Sequence, residues 1–507
     1  MKIQRTWSLC FLLRNISVLV LIALVVAAAS CSGGSGSISK VNTSGGGSNP
    51  PGNPGPPGNP GPSGAVSISP ASETLRIGGQ RQFSGWDSTV GQYDVTWSLQ
   101  EGAAAGTVTA DGLYTAPGAP GSFHLIATSS HNPSLSAAAP LTIVPIGFVL
   151  IADMAIARSG HTATLLADGK VLVAGGTADA AHSAELFDPA SSNFTPVVGA
   201  MVHARTGHCA ILLPDGKVLI AGGGDANGNL FKTAELFDPA TQSFVATGDL
   251  NDARTSATAT LLLNGKVLIA GGQDSKGTLL SSAELYDPGS GTFVQTGNMH
   301  APRAQHTATL LSTGKVLLVG SSSDTQNAEL FDPASGSFST TGSLIQARTH
   351  HTATLLPNGK VLILGGSQVM PPDGGGAAPA PVSLGSAEIY DTAKGVFSQA
   401  GTLRIARDSH SATLLANGTV LVAGGYSHGF DSDADPYWQT MVGAELFDPL
   451  TSISTAAASL ETGRAEHVAT MLSNGQVLIT GGIEGHLALC CRPKPVTVTL
   501  ASSEVYK

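Results

Sequence analysis

Residues 161–176 read HTATLLADGKVLVAGG, and close copies of this stretch return six more times before the chain ends. Each copy holds an apolar run, a turn such as Asp-Gly or Asn-Gly, and a second apolar run that ends in glycine. Because Asn, Asp and Gly tolerate positive φ, the pattern predicts a β-hairpin with a two-residue type I′ turn. Each repeated unit therefore begins with a hairpin.

Fixed spacing relates each hairpin to an arginine before it and a glutamate after it. The glycine that ends the second run lies 17 residues after the arginine in every copy. The arginines are Arg158, Arg205, Arg254, Arg303, Arg348, Arg407 and Arg464. The glutamates, each at the centre of a third run, are Glu185, Glu235, Glu284, Glu329, Glu388, Glu445 and Glu504. A fourth run follows, and four short strands per unit predict propeller blades.

The two ends of the repeated region complement each other. The seventh unit stops at Lys507 after its third run, whereas Phe148 lies ten residues before Arg158, the interval that separates the Phe of a fourth run from the next arginine, as for Phe293 and Arg303. The sequence therefore predicts an all-β fold with a seven-bladed propeller over residues 147–507, closed by a strand at 148–154.

The arginine, histidine, double glycine, Glu-x-aromatic-Asp-Pro and late aromatic of each unit resemble kelch repeats. The form is that of the galactose oxidase central domain and of bacterial kelch-like proteins, and it covers about 360 residues, although Phe stands where many kelch repeats have Trp. The resemblance implies that connections between second and third strands share a face with the loops that enter the inner strands. In this family that face commonly binds ligands.

Histidine recurs six times, three residues after the arginine, and suggests at first a catalytic ring. The set is His161, His208, His306, His351, His410 and His467, with Ala257 in the third unit. Chemistry needs a residue once, whereas a blade needs its own copy. We therefore expect the seven Arg and Glu residues to form structural pairs, and we predict no catalytic residue. The double glycines do not form a nucleotide-binding motif.

The segments before the propeller indicate export. Residues 1–31 have the charges and apolar stretch of a signal peptide and end in AASC, which resembles a lipobox with Cys31 as the lipidation site; ordinary cleavage after Ala29 is the alternative. Residues 32–64 are rich in Gly, Ser and Pro and predict a disordered linker. Residues 65–145 alternate like a β-sandwich and resemble bacterial immunoglobulin-like domains, with Trp97 expected in the core.

Composition limits the partners. Charged residues make up 12% of the chain, the net charge is -10, and no basic run would follow a phosphate backbone, so nucleic acid is excluded. Five cysteines do not form a disulfide framework. The adjacent pair Cys490 and Cys491 could form a disulfide, stay reduced or bind a metal weakly, and we predict the disulfide.

The units differ most between second and third strands, where units five, six and seven are long. In unit six, the candidate ligand-binding residues are Tyr426, His428, Asp431, Asp433, Asp435, Tyr437 and Trp438. Alternating Asp resembles a calcium loop, but Pro436 replaces the required Gly and no Glu occupies the twelfth position, so we predict a solvated acidic loop and no metal. The aromatic side chains could stack on a sugar.

Two functions remain as hypotheses. The first is an exported, monomeric, cofactor-free binding protein of the outer membrane or cell surface, held to the membrane only by a lipid anchor; periplasmic or secreted forms are alternatives. Its loop-rich face would bind an extracellular or periplasmic glycan or protein. The second is a carbohydrate-active kelch enzyme, mutarotase-like or galactose oxidase-like. The copper site of galactose oxidase needs two Tyr, two His and a Tyr-Cys crosslink, and only Tyr426 and Tyr437 are available in the propeller outside the repeat positions.

Overall fold

The chain folds into β-strands almost throughout the computed structural model. The structure describes residues 66–144, 147–177, 182–321, 326–370, 380–430, 436–487 and 496–507. These residues divide into two compact units at residues 147 and 148. Their only helical element is the short 3-10 turn Gly102–Ala105. No helix in this part of the chain is long and apolar enough to cross a membrane.

The N-terminal unit contains two main sheets. Its strands are β1 (Val66–Ser69), β2 (Glu73–Arg76), β3 (Gln80–Gln82), β4 (Ser84–Asp87), β5 (Val95–Leu99), β6 (Thr107–Val108), β7 (Leu113–Thr115), β8 (Gly121–Ser129) and β9 (Ser136–Val144). The sheets have the orders β2-β9-β8-β5 and β3-β7-β6, and β1 pairs with β4. Phe83 and Tyr114 fill the core, whereas Trp97 is only half-buried against it. Trp97 is therefore less buried than the sequence predicted, because β5 is an edge strand.

The second unit contains seven successive four-stranded sheets, one for each repeated unit, and further strands in units five to seven, within the described residues. Units one to four contain β11 (Thr162–Leu165), β12 (Val171–Ala174), β13 (Ala184–Asp188), β14 (Asn193–Pro196), β15 (Cys209–Leu212), β16 (Val218–Ala221), β17 (Ala234–Asp238), β18 (Ser243–Ala246), β19 (Thr258–Leu261), β20 (Val267–Ala270), β21 (Ala283–Asp287), β22 (Thr292–Gln295), β23 (Thr307–Leu310), β24 (Val316–Val319), β25 (Asn327–Asp332) and β26 (Ser337–Ser343), after β10 (Phe148–Leu150).

Units five to seven carry extra strands between the second and third strands of the blade. They contain β27 (Thr352–Leu355), β28 (Val361–Leu364), β29 (Ser367–Met370), β30 (Ala380–Ser383), β31 (Ser386–Asp391), β32 (Val396–Thr402), β33 (Ser411–Leu414), β34 (Val420–Ala423), β35 (Tyr426–Phe430), β36 (Pro436–Thr440), β37 (Ala444–Asp448), β38 (Ile453–Ala456), β39 (Val468–Met471), β40 (Val477–Thr480), β41 (Ile483–Leu487), β42 (Val496–Thr499) and β43 (Ser503–Tyr506).

The turn of each inner hairpin is longer than the sequence predicts. In unit one Leu165 pairs with Val171, and the Leu166 amide donates to the Lys170 carbonyl at 2.8 Å, which leaves a three-residue loop. Gly169 has φ +85°, whereas Asp168 has no positive φ. The type I′ prediction was therefore wrong: this is the three-residue loop that ends in a left-handed residue.

The second strand of each sheet is buried on both faces, as its continuous apolar sequence requires. In β12 all four residues are buried. Leu172 belongs to the core cluster that contains Val218 of unit two, and Val173 to the cluster that contains Leu478 of unit seven. Side chains on the two faces of one strand thus pack against two different neighbouring sheets.

The ends of the chain meet in one sheet. Phe148 pairs with Tyr506, so β10 becomes the outer strand of the sheet of unit seven, in the order β10-β43-β40-β39. This paired segment is shorter than the predicted 148–154. On the inner side β39 lies beside β11, and the Gly482 amide donates to the Arg158 carbonyl at 2.8 Å. The sheets therefore form a closed ring.

A buried ion pair anchors each unit. The seven Arg Nη2 atoms lie 2.6–2.9 Å from a glutamate Oε1 of the same unit, and both side chains are at most 3% exposed. In unit four, Arg303 also donates to the carbonyls of Gly320 and Asn327, while Glu329 accepts the amide of His300. The pair thus joins the entry loop, the end of the second strand and the third strand.

The recurring histidines link neighbouring units. His208 Nε2 lies 2.9 Å from Thr162 Oγ1 of unit one, and His161 Nε2 lies 3.0 Å from Thr480 Oγ1 of unit seven. Burial lowers the pKa of both rings to about 3, so they are neutral at ordinary pH. These contacts give the histidines a structural role.

We predict that breaking one ion pair destabilises the propeller. Arg303→Ala or Glu329→Ala leaves an uncompensated buried charge, and the free energy of unfolding should fall by about 3–5 kcal/mol. Urea denaturation measures this change. The control is Lys315→Ala in the same unit, whose pair with Asp332 is solvent-exposed and should contribute less than about 1 kcal/mol. Equal stability of all three variants would contradict the structural role of the pair.

Candidate functional site

Three hairpins stand on one face of the propeller, between the second and third strands of units five, six and seven. They are β29 with β30, β35 with β36, and β41 with β42. Strand β36 also pairs with β41, which gives a four-stranded sheet of order β35-β36-β41-β42. The entry loops of the inner strands lie on the same face, because antiparallel first and second strands place these ends together. The side of this face formed by units five to seven therefore carries all three hairpins.

The register of the hairpin in unit six sorts the predicted aromatic residues onto two faces. His428 is directly opposite Trp438, and Tyr426 lies two residues from His428 on the same face. The Tyr426 ring centroid lies 5.2 Å from that of His428 and 5.4 Å from that of Trp438. Tyr437 is opposite Gly429, so it lies on the other face. The candidates thus form no single platform, and Tyr426 is only 8% exposed.

His428 pairs with a buried acid that sequence reasoning missed. Its Nδ1 lies 2.7 Å from Asp408 Oδ2, and the Ser383 hydroxyl donates to the same oxygen at 2.5 Å. The His428 backbone amide in turn donates to Ser383 Oγ at 2.8 Å. Burial alone would raise the pKa of Asp408, but His428 beside it and the Ser383 hydrogen bond bring that pKa below its usual value. An ionised carboxylate thus lies beneath the hairpin.

A second missed feature is a collar of residues, each two positions after the repeat arginine. All seven have positive φ, between 51° and 62°. They are Gly160, Gly207, Ser256, Gln305, His350, Ser409 and Glu466. From Gly207 to Glu466, each amide donates to the carbonyl of the preceding member at 3.0–3.4 Å. These hydrogen bonds place the seven residues side by side from one unit to the next.

Most collar members have side chains, although the left-handed conformation favours glycine. Five of the seven are not glycine, and each such residue costs on the order of 1–3 kcal/mol in backbone strain. Strain of this kind is concentrated at functional sites. The sequence contained a signal for the collar: this position holds five different residue types in seven units, while the arginine before it never changes.

Glu466 is the collar residue with the most unusual environment. The Tyr426 hydroxyl donates to its Oε1 at 3.3 Å, whereas its buried Oε2 has no hydrogen-bond partner among the residues the structure describes. Burial raises the pKa of Glu466 to about 8, and the negative charge of Asp408 adds to this effect. Burial likewise raises the pKa of Tyr426 well above its usual value. The Glu466 carboxyl is therefore largely neutral at pH 7.

Six predicted residues lie outside the part of the chain that the structure describes. They are Asp431, Asp433, Asp435, Cys31, Cys490 and Cys491. Cys209, which is described, is buried and disulfide-bonded. The disulfide between Cys490 and Cys491 stays a prediction.

The residues present do not fit the copper site of galactose oxidase. Tyr426 and Tyr437 lie on opposite faces of the hairpin. Across the described ranges, no three His, Cys, Asp or Glu side chains are placed to hold a metal ion. We derive no chemistry from copper.

Comparisons with known proteins agree with this architecture. The family model of the KLHDC2/KLHL20/DRC7 Kelch-repeats domain matches residues 160–366, about two fifths of the chain. The structure of a novel fungal alcohol oxidase of the AA5 family, in complex with copper, is 17% identical, with a TM-score of 0.54 over 71% of this chain and 76% of that chain. The structure of YjhT is 12% identical, with a TM-score of 0.46 over 61% of this chain and 99% of that one. No curated protein matches the sequence.

The chain is thus an all-β protein with a kelch-type β-propeller, as the sequence predicted. At 17% identity, the likeness to the alcohol oxidase concerns the fold alone. Kelch repeats indicate a propeller of the protein-interaction type.

We predict that Glu466→Gln removes a pH-dependent loss of stability. Because the pKa of Glu466 is about 8 in the folded chain and near 4.5 when unfolded, only the unfolded state loses this proton between pH 5 and 8. Stability from this group is therefore present below pH 4.5 and is lost as pH rises to 8, by at most about 1.4 kcal/mol per pH unit.

Urea denaturation of both proteins at pH 5 and pH 8 measures the effect. The variant should gain stability relative to the native chain as pH rises. Glu484→Gln removes an exposed carboxylate of β41 and serves as the control, with no such trend. A Glu466→Gln difference that is equal at both pH values would contradict the prediction.

Proposed function

We propose that this protein is an exported binding protein that holds a protein partner on the face of the three hairpins. Exposed apolar side chains on that face carry the proposal. They are Val202, Ile345, Val369, Ile405, Val442 and Val498, each 46–57% exposed. They come from the entry loops and the hairpin connections, which share the face. Exposed apolar side chains on one face are a feature of protein interaction sites.

A protein partner fits these residues better than a glycan does. Sugar sites use exposed aromatic faces, whereas Tyr426 is buried and Tyr437 is separated from Trp438 by the strand register. Branched aliphatic side chains are better matched by the apolar core of a protein interface. The kelch-type repeats support the same class of function.

Export and anchoring are part of the proposal. The charged and apolar pattern of residues 1–31 favours secretion, and AASC favours lipidation of Cys31. The Gly, Ser and Pro-rich residues 32–64 would then hold the folded units away from the membrane surface. In this arrangement the chain acts outside the cytoplasm, at the outer membrane or cell surface.

The test measures partner affinity with two matched variants. Partners are captured from extracellular proteins of the source cells, identified by mass spectrometry, and titrated against the purified chain. Ile345→Asp with Ile405→Asp should weaken binding at least tenfold, because two charges enter the apolar face. Val294→Asp, on the outer strand β22 and 61% exposed, should leave affinity unchanged. Equal binding by all three proteins, or binding only to a glycan array, would reject the proposal.

A carbohydrate-active enzyme of mutarotase type is the second candidate, and one observation favours it. Asp408 and Glu466 are neighbouring acids whose environments shift their pKa values in opposite directions. Pairs of this kind divide acid and base roles. The anomeric exchange of reducing sugars, followed by NMR, should then be faster with the native chain than with Asp408→Asn. Identical exchange rates with and without the protein would exclude this candidate.

A further inference from the structure

Four neighbouring collar residues have long or polar side chains, and we call them the polar arc; the first two collar residues are glycine. Gln305, His350, Ser409 and Glu466 follow one another in consecutive units, and Gly160 and Gly207 occupy the first two units. The hydrogen bonds along the collar keep this order fixed. The polar arc lies in the units that carry the hairpins or directly precede them. Polar side chains are thus gathered at one side of the propeller entrance.

Two polar atoms of this arc lack a partner among the described residues. Gln305 is 8% exposed, its Oε1 accepts the Thr349 hydroxyl at 3.3 Å, and its Nε2 has no partner in the described ranges. Because amide nitrogen and oxygen can exchange places, either end can face a ligand. Glu466 Oε2 is likewise unpaired within the described part of the chain. Buried polar atoms without partners are uncommon, and each calls for an explanation.

Glu466 has no positively charged partner among the described residues. Asp408 is paired with His428, and Arg464 is paired with Glu504. Burial keeps His350 neutral by lowering its pKa. No Lys or Arg side chain of the described residues forms an ion pair with Glu466. The Glu466 carboxyl, which is largely neutral at pH 7, therefore has no cation beside it among the described residues, and a cation bound there would take the place of its proton.

Aromatic rings adjoin the same carboxyl. Tyr426 bonds to Glu466 through its hydroxyl, and Trp438 meets the Tyr426 ring edge-on, with an interplanar angle of 83°. Trp438 and His350 are partly exposed, so the cluster reaches the surface of the face. Aromatic faces attract cations, most strongly where water is excluded.

We infer that the cluster of Glu466, Tyr426 and Trp438 binds a primary ammonium group, as a lysine side chain of a protein partner would supply. The inference rests on the proposed function, because it names the chemical group that the partner inserts. The ammonium would pair with the unpaired Glu466 Oε2 and contact the aromatic rings.

The experiment uses small probes on the folded full chain. Nα-acetyl-lysine methylamide is titrated by calorimetry at pH 7, with Nα-acetyl-norleucine methylamide as the uncharged probe. The native chain should bind the lysine probe at least tenfold more tightly than the norleucine probe. Glu466→Gln keeps the size of the side chain and should lose at least tenfold in affinity. Glu484→Gln, an exposed carboxylate on β41, should bind as the native chain does.

Three results would overturn the inference: no saturable binding of the lysine probe by the native chain, equal binding of both probes, or unchanged binding by a folded Glu466→Gln. Tighter binding of glucosamine than of the lysine probe would assign the ammonium to a glycan and reject a protein source. Partner capture by the Ile345 and Ile405 variants is measured separately. A chain that captures its protein partner but ignores the probes would reject this inference alone.

Discussion

The buried pairing of one arginine with one glutamate in each unit is the interaction on which the rest of the propeller depends. The guanidinium bonds to the end of the second strand, and the glutamate bonds to the amides of the entry loop. Compared with apolar side chains of similar size, a buried ion pair of this kind adds little net stability. Removal of one partner, however, strongly destabilises the fold. Its contribution is to fix where each entry loop begins relative to the third strand.

This fixed position explains how a conformation that residues with a side chain rarely adopt is kept in all seven units, in five of them by a residue other than glycine. The carbonyl of each repeat arginine accepts the amide of the residue that follows the 17-residue glycine in the preceding unit, at 2.7–3.3 Å around the whole ring. With the arginine held from both sides, the residue two positions later is forced into positive φ. The scaffold therefore supports the strain, and the side chain at that position is free to vary.

Function and framework are thus separated within a few residues of sequence. Arg464 and His467 belong to the frame, whereas Glu466 between them belongs to the candidate site. Electrostatics divides the site further. The Asp408 carboxylate pairs with His428 and stays ionised. The Glu466 carboxyl accepts a hydrogen bond from the Tyr426 phenol and stays largely neutral. Two acids in neighbouring units thus offer different chemistry to a ligand.

The sequence by itself determined the all-β class, the kelch-type propeller and the structural role of the repeated Arg, His and Glu, because periodic residues report on contacts that every unit must make. It also directed attention to the long connections of units five to seven. Only the tertiary structure decided which side chains meet there. Strand register separated Tyr437 from Tyr426, the fold of unit six placed Asp408 beside His428, and the packing of unit seven beside unit six brought Glu466 to Tyr426. These partners are 20 and 40 residues apart in the chain, and no local pattern encodes the fold of the hairpin between them.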